Sequence, residues 1–216
     1  MNEKNIEGVM GHLVSLGLSS EIEPDVRANI CLQQDSFQVS YRLVKDGDTM
    51  NTIFYFDKKE NGYRCSYYEA SLRKKIFIPE VVVNEVDAIE LDDRMARIDW
   101  KSLKQYDEVE SIVTDLKKLS ETTDGLPYAE RLKIKFWLDT PLASLIPNVS
   151  VLKNQYEVSQ RFYFFEGEQQ ISLDEAYRFL SHRWREKQLN AKKKIAESVE
   201  TNKELKIKKG KRRPAR

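Results

Sequence analysis

A chain of 216 residues with 40% hydrophobic and 33% charged residues buries a substantial core without staples and carries a heavily solvated surface. Its first ten residues lack an apolar stretch behind a basic one and no run approaches ~18 apolar residues, so neither a secretory leader nor a membrane span is expected and a cytoplasmic location follows. The net charge of +1 hides a split: from Arg183 onward there are 14 Lys/Arg against 4 Asp/Glu, which leaves 22 against 31 in the preceding body.

In chain order, Ile6, Val9, Met10 and Leu13 recur at helical spacing, Val14 widens the stripe and Gly17 supplies a stop, which predicts an amphipathic helix over 3–16. A second helix is expected from Ser20, whose spacing to Glu23 fits a capping box, with Pro24 in its first turn and Val26 and Ile30 buried. The two make a helical hairpin. His12 lies opposite the apolar stripe, where a solvated surface position is expected.

Alternation then announces strands. Phe37, Val39, Tyr41 and Leu43 face one way, and Gln38, Ser40 and Arg42 the other. Asp46-Gly47 turns the chain into 51–57, with Ile53 to Phe56, and Asn61-Gly62 turns it again into 63–72, an antiparallel meander. Ile76-Phe77-Ile78, ahead of Pro79, reads as a fourth, edge strand.

The middle is mainly helical: a short helix over 91–98, then a strong one marked by Val109, Ile112, Val113, Leu116 and Leu119. Pro127 opens a third, with Tyr128, Leu132 and Phe136 on one face and Trp137 and Leu138 extending the apolar surface until Thr140-Pro141. Residues 141–154 read as an irregular connection. Tyr156 to Phe165, a turn at Glu166-Gly167 and a short return over 169–171 predict a β-hairpin. Ser172 and Glu175 have capping-box spacing and open a helix with Leu173, Ala176, Tyr177, Leu180 and Trp184 on one side, thinning to Leu189, Ile195 and Val199. After about Asn202 the composition cannot offset ordering entropy, and disorder in isolation is expected.

The fold expected is therefore α+β: an N-terminal helical hairpin on an antiparallel β-meander, then a mainly helical region with a β-hairpin, then a long C-terminal helix. The expected division is 1–84, 85–184 (separate or one domain with the first), and a basic helix and disordered tail over 185–216.

Chemistry is sparse. His12 and His182 are the two histidines, no Cys-x-x-Cys, His-x-x-x-His or acidic calcium loop occurs, and neither a metal nor a cofactor is expected. The glycines form no phosphate-binding loop, and no nucleophile elbow is present. Cys31 and Cys65 are expected to be reduced thiols, with Cys65 a half-buried strand residue beside Arg64. Asp92-Asp93 and the Glu108/Glu110 pair fit charged helix faces. These absences favour a non-enzymatic protein.

Two features point towards partners. Tyr55, Tyr63, Tyr67, Tyr68, Phe162, Tyr163, Phe164 and Phe165 all fall on strands, with Arg64, Arg73 and Lys74 nearby; they either stack single-stranded bases or pack a sheet, and packing is favoured because neither an RNP1 pattern nor a GxxG loop is present. The tail carries Lys206, Lys208, Lys209, Lys211, Arg212, Arg213 and Arg216, which are expected to contact nucleic acid through phosphates. The competing reading is a protein-interaction module or adaptor that docks through the exposed helix from Leu173 to Val199.

Phe54 through Tyr68-Glu69-Ala70-Ser71-Leu72, Ile98-Asp99-Trp100, Trp137 to Leu142, and Glu175-Ala176-Tyr177-Arg178-Phe179-Leu180 resemble segments of uncharacterised proteins carried by bacterial conjugative and mobile elements. The resemblance implies an accessory or regulatory protein of a mobile element and brings no catalytic residue with it.

Overall fold

The structure, a computed structural model, describes residues 3–102, 105–165 and 170–210, the stretch beyond Lys194 mainly as helical backbone. The fold is α+β. In chain order the described residues form α1 (Glu3–Ser15), α2 (Glu23–Cys31), β1 (Ser36–Lys45), β2 (Asp48–Lys59), β3 (Gly62–Arg73), β4 (Val82–Val83), β5 (Val86–Asp87), α3 (Ala88–Ala96), α4 (Tyr106–Ser120), α5 (Leu126–Trp137), α6 (Val149–Tyr156), β6 (Glu157–Tyr163) and α7 (Leu173–Gly210). They divide into two compact units that are discontinuous along the chain. The first takes the described residues of Met1–Lys45, Thr49–Leu72 and Val158–Arg216, and the second takes Asp46–Asp48 and Arg73–Glu157.

The first unit is built on a four-stranded sheet in the order β1-β2-β3-β6. Its inner face buries Phe37, Val39, Met50, Phe54, Phe56, Tyr68 and Leu72 together with Ile6, Val9 and Leu13 of α1, Val26 and Ile30 of α2, and Leu173, Ala176 and Leu180 of α7. The α1 stop is a Schellman motif: Leu18 N donates to the Leu13 carbonyl at 3.2 Å and Gly17 N to that of Val14 at 2.9 Å, with Gly17 at φ 93°. Val14, expected to widen the stripe, is 55% exposed. Entry to α2 runs through a 3-10 turn over Ser20–Ile22 with no side-chain cap; Glu23 pairs with Arg27 at 3.0 Å, so the expected capping box gives way to an i,i+4 ion pair.

Of the hairpin expected over 156–171, the turn at Glu166-Gly167 and Gln169 lie outside the described residues. β6 adds to the free edge of β3, antiparallel to it: Phe164 N donates to the Ser66 carbonyl at 3.1 Å, and the Ser71 and Ser159 hydroxyls share a hydrogen bond. Gln170 and Ile171 form no strand. The neighbour β3 is twelve residues long, and the pairing buries Phe162 and Phe164 against Tyr68. Helix α7 runs to Gly210, past Asn202, on a sequence rich in the good helix formers Lys, Glu, Leu and Ala.

The second unit is helical, with Leu91, Met95, Ile112, Leu116, Leu119, Leu132, Ile134 and Leu152 in its core. Helix α3 starts at Asp87, whose carboxylate accepts from Ile89 N at 2.9 Å and Glu90 N at 3.2 Å. Ile76 and Ile78 are buried in this core without being a strand; the strands of the region are β4 and β5, paired Val82 to Asp87 and Val83 to Val86. Asn84 and Glu85 close that ribbon at φ 50° and 64°, a turn twisted to suit the strands. The connection over 141–154 is ordered as a 3-10 turn, Pro141–Leu145, capped by the Thr140 hydroxyl, followed by α6.

Arg73 and Glu157, the terminal residues of β3 and β6, belong to this second unit. The Arg73 guanidinium donates to Glu157 at 3.0 Å and to Asp139, and Lys153 lies 3.7 Å from Glu157.

Candidate functional site

The strand period sorts the aromatic residues onto two faces. Phe54, Phe56, Tyr63, Tyr68, Phe162 and Phe164 are buried on the inner face. Tyr55, Tyr67, Tyr163 and Phe165 point to the outer one, where Tyr163 remains 53% and Phe165 57% exposed. A slip in β3 makes this possible. Tyr63 and Cys65 are buried, then Ser66 and Tyr67 are both half-buried, then Tyr68, Ala70 and Leu72 are buried, which is the pattern of a β-bulge that re-aims the strand by one residue. Beyond the bulge Tyr67 and Glu69 share the outer face.

There the rings form a continuous row. Tyr55 stacks on Tyr67 with centroids 4.4 Å apart, Tyr67 meets Tyr163 at 5.6 Å, and Tyr163 meets Phe165 at 6.0 Å. Arg161 lies across the row, its guanidinium 4.7 Å from the Tyr67 centroid and 5.9 Å from that of Tyr163. Its plane is fixed by donation to the Tyr163 hydroxyl at 3.2 Å and to Glu69 Oε1 from Nε at 2.9 Å and from Nη2. Tyr55 Oη donates to Glu69 Oε2 at 3.1 Å. These bonds, Tyr163 first and Glu69 next, push the Arg161 pKa above its ordinary value, while desolvation and then the Glu69 bond raise that of the Tyr55 phenol. Glu69 offsets the Arg161 charge, so the row is an aromatic and hydrogen-bonding surface with little net charge of its own.

Positive charge enters from α7. A capping box starts this helix: Ser172 Oγ accepts from Glu175 N at 3.3 Å, and Glu175 Oε2 accepts from Ser172 N at 2.8 Å. Arg183 then donates to Gln160 Oε1 at 2.7 Å and to the Ser159 carbonyl at 3.5 Å, tying the first residue of the basic stretch to β6. Beyond it Arg183, Lys187 and Lys194, with Glu186 and Asn190 among them, border a recess of about 450 Å³ against Val158.

The residues singled out from sequence are dispersed. Arg73 is buried among carboxylates, Lys74 pairs with Asp48, and Arg64 borders a separate cleft beside α1, so none of these three joins the aromatic row. Arg161, which does, sits in a predicted strand but carries no motif. Lys206, Lys208 and Lys209 lie on the helical backbone of α7 with side chains outside the described residues, and Lys211, Arg212, Arg213 and Arg216 lie outside them altogether. His12 is half-buried rather than solvated, its ring edge-on to Phe164 at 4.9 Å. Cys31 is exposed; Cys65 is buried, and desolvation pushes its thiol up to about 12. Among the described residues no group of His, Cys, Asp and Glu could hold a metal, and no helix is long and apolar enough to cross a membrane.

No family model, curated protein or solved structure matches this chain.

Proposed function

We propose that this chain is a non-enzymatic accessory protein that binds single-stranded nucleic acid, with bases stacked on the outer aromatic row and phosphates held by the basic residues of α7 and the tail. The resemblance to proteins of mobile elements supplies the setting. One juxtaposition supports the reading: strand β6 carries Arg161 and Tyr163 on its outer face and, through Ser159 and Gln160, anchors Arg183 where the basic helix begins. Stacking surfaces beside a cationic track are what sequence-tolerant single-strand binding requires, since every base offers a π-face and every nucleotide a phosphate.

Fluorescence anisotropy with labelled oligo-dT and oligo-rU, across a salt series, tests it on the full chain. Tyr163→Ala weakens binding about tenfold, since base–aromatic stacking contributes roughly 1–3 kcal/mol. Replacing Lys192, Lys193 and Lys194 by Gln flattens the salt dependence instead. Binding that is absent, or indifferent to both changes, sinks the proposal. A second reading, an adaptor docking through α7, draws on Phe179 and Leu189, which stand 47% and 58% exposed on that helix. It requires a partner-dependent loss on Leu189→Asp with oligonucleotide binding untouched.

A further inference from the structure

Strand β1 is an end member of its sheet, so among the described residues no strand pairs with its outer flank. It is ten residues long, with neither a proline nor a break in its alternation from Ser36 to Val44 to blunt it. Phe37 and Val39 are buried on the inner face, while Tyr41 and Leu43, further along the same face, stay half-buried against the core.

Ladder parity decides which backbone groups meet the open flank. Lys58 N donates to the Asp35 carbonyl at 2.8 Å, so Asp35 directs its backbone groups at β2. Counting by twos from there, Ser36, Gln38, Ser40, Arg42 and Val44 turn N–H and C=O the other way, onto the flank. Arg42 is the one charge among these five.

The flank is complementary to itself. A second copy laid antiparallel about a two-fold axis at Ser40 sets Lys45 opposite Asp35, Leu43 opposite Phe37 and Tyr41 opposite Val39. In this register the outward set is the hydrogen-bonded one, Arg42 faces Gln38, and Ser40 exchanges two bonds with its own copy. Sliding by two residues either way keeps the parity but puts Lys45 opposite Phe37 or Gln33 and forfeits the ion pairs. Asp35 is exposed, and Lys45, bonded to Asp174 at 2.9 Å, has further ammonium protons to donate.

We propose that this chain forms a symmetric dimer by pairing β1 with β1 of a second copy, joining two four-stranded sheets into one. Pairing satisfies the outward backbone groups, covers Tyr41 and Leu43 with Val39 and Phe37 of the second copy, and makes the Asp35–Lys45 pair twice. A strand pair is a small interface, so assembly depends on concentration. The two-fold axis is normal to the sheet and both outer faces look the same way, so the dimer stands independently of nucleic-acid binding.

Sedimentation velocity and light scattering of the full chain across a concentration series test it. The expected result is a mass that rises from the 25.3 kDa of one chain towards twice that value. Ser40→Pro removes the two bonds at the axis and weakens dimerisation about thirtyfold. It spares the β1–β2 ladder, to which Ser40 gives no N–H, so the urea midpoint in dilute solution stays put. Ser40→Lys and Ser40→Glu each set like charges face to face and weaken self-association. Mixed in equal amounts, those two variants restore a one-to-one dimer, which a merely destabilised strand would not do. In amide exchange Gln38, Ser40 and Arg42 gain protection as concentration rises. A chain that stays monomeric throughout the series overturns the proposal, as does a dimer indifferent to Ser40→Pro or one that mixing fails to restore. Protection of those amides in the dilute monomer overturns it too, since another segment of the same chain then occupies the flank.

Discussion

Replacing Arg73 by Met separates a structural arginine from a ligand-binding one. The Arg73 side chain is 6% exposed and that of its partner Glu157 4%. Met keeps the apolar stem and removes the charge. The nearby Lys153 compensates little, since its side chain is 52% exposed and its attraction is screened by solvent. Breaking a buried pair by removing one partner costs about 3–5 kcal/mol, because the surviving charge stays desolvated. The loss depends on pH, and its sign follows from Glu157. Burial already holds that carboxyl above its usual range, and the loss of Arg73 raises it further. A carboxyl whose pKa is higher folded than unfolded opposes folding once pH exceeds the unfolded value, and ceases to do so below it. The destabilisation of Arg73→Met is therefore largest near pH 7 and shrinks towards about pH 4. Adding Glu157→Leu returns much of the stability at pH 7, since an apolar pair of similar volume suits the site. Urea unfolding followed by tryptophan fluorescence reads this directly, as Trp100 and Trp137 are buried in the same unit. A loss below about 1 kcal/mol at pH 7, or an equal loss at both pH values, refutes the reasoning.

Gly11 lies exposed within α1 and a Cβ there meets nothing within 4 Å, so Gly11→Ala raises stability by about 0.5–1 kcal/mol in the same unfolding assay. Gly62, at φ +121° and against the Asn5 side chain, behaves oppositely, and Gly62→Ala lowers the urea midpoint. A chromogenic disulfide reagent labels Cys31 quickly in the native chain and Cys65 only after unfolding; two fast native thiols would contradict the burial of Cys65. Ser172→Ala costs about 1 kcal/mol through loss of the α7 cap. Hydrogen bonds from the Ser172 backbone and then its hydroxyl hold the Glu175 carboxyl below its usual range, so its part in the cap is present at neutral pH and fades as acid protonates it. The gap between wild type and Ser172→Ala should narrow accordingly in acid unfolding curves.

Legibility in the sequence followed locality. The meander was readable because Asp46-Gly47 and Asn61-Gly62 announce their turns, and α4 because Ile112, Leu116 and Leu119 fall on one stripe. The β4–β5 ribbon was not, since its turn places Asn84 and Glu85, rather than a glycine, in left-handed conformation. Helix α6 begins after Pro147 at Asn148 with φ 52° and no side-chain cap, so no start signal precedes it. The aromatic row was hidden for two reasons. The pairing of β6 with β3 spans the whole second unit, and the slip at Ser66–Tyr67 breaks the period-two pattern that assigns Tyr67 and Tyr68 to faces. Arg161 and Glu69 meet across 92 positions, a separation no motif encodes.

The discontinuity of the first unit has a consequence for biosynthesis. On the ribosome β3 emerges long before β6, and everything from Arg73 to Glu157 must be translated while the flank of β3, with the Tyr67–Tyr68 pair beside it, waits without a neighbour. Such an unfinished strand is a template for intermolecular pairing, so rapid collapse of the inserted helices shortens the period of exposure. Nascent chains stalled short of Val158 should therefore recruit holdase chaperones more strongly than those released after Phe165.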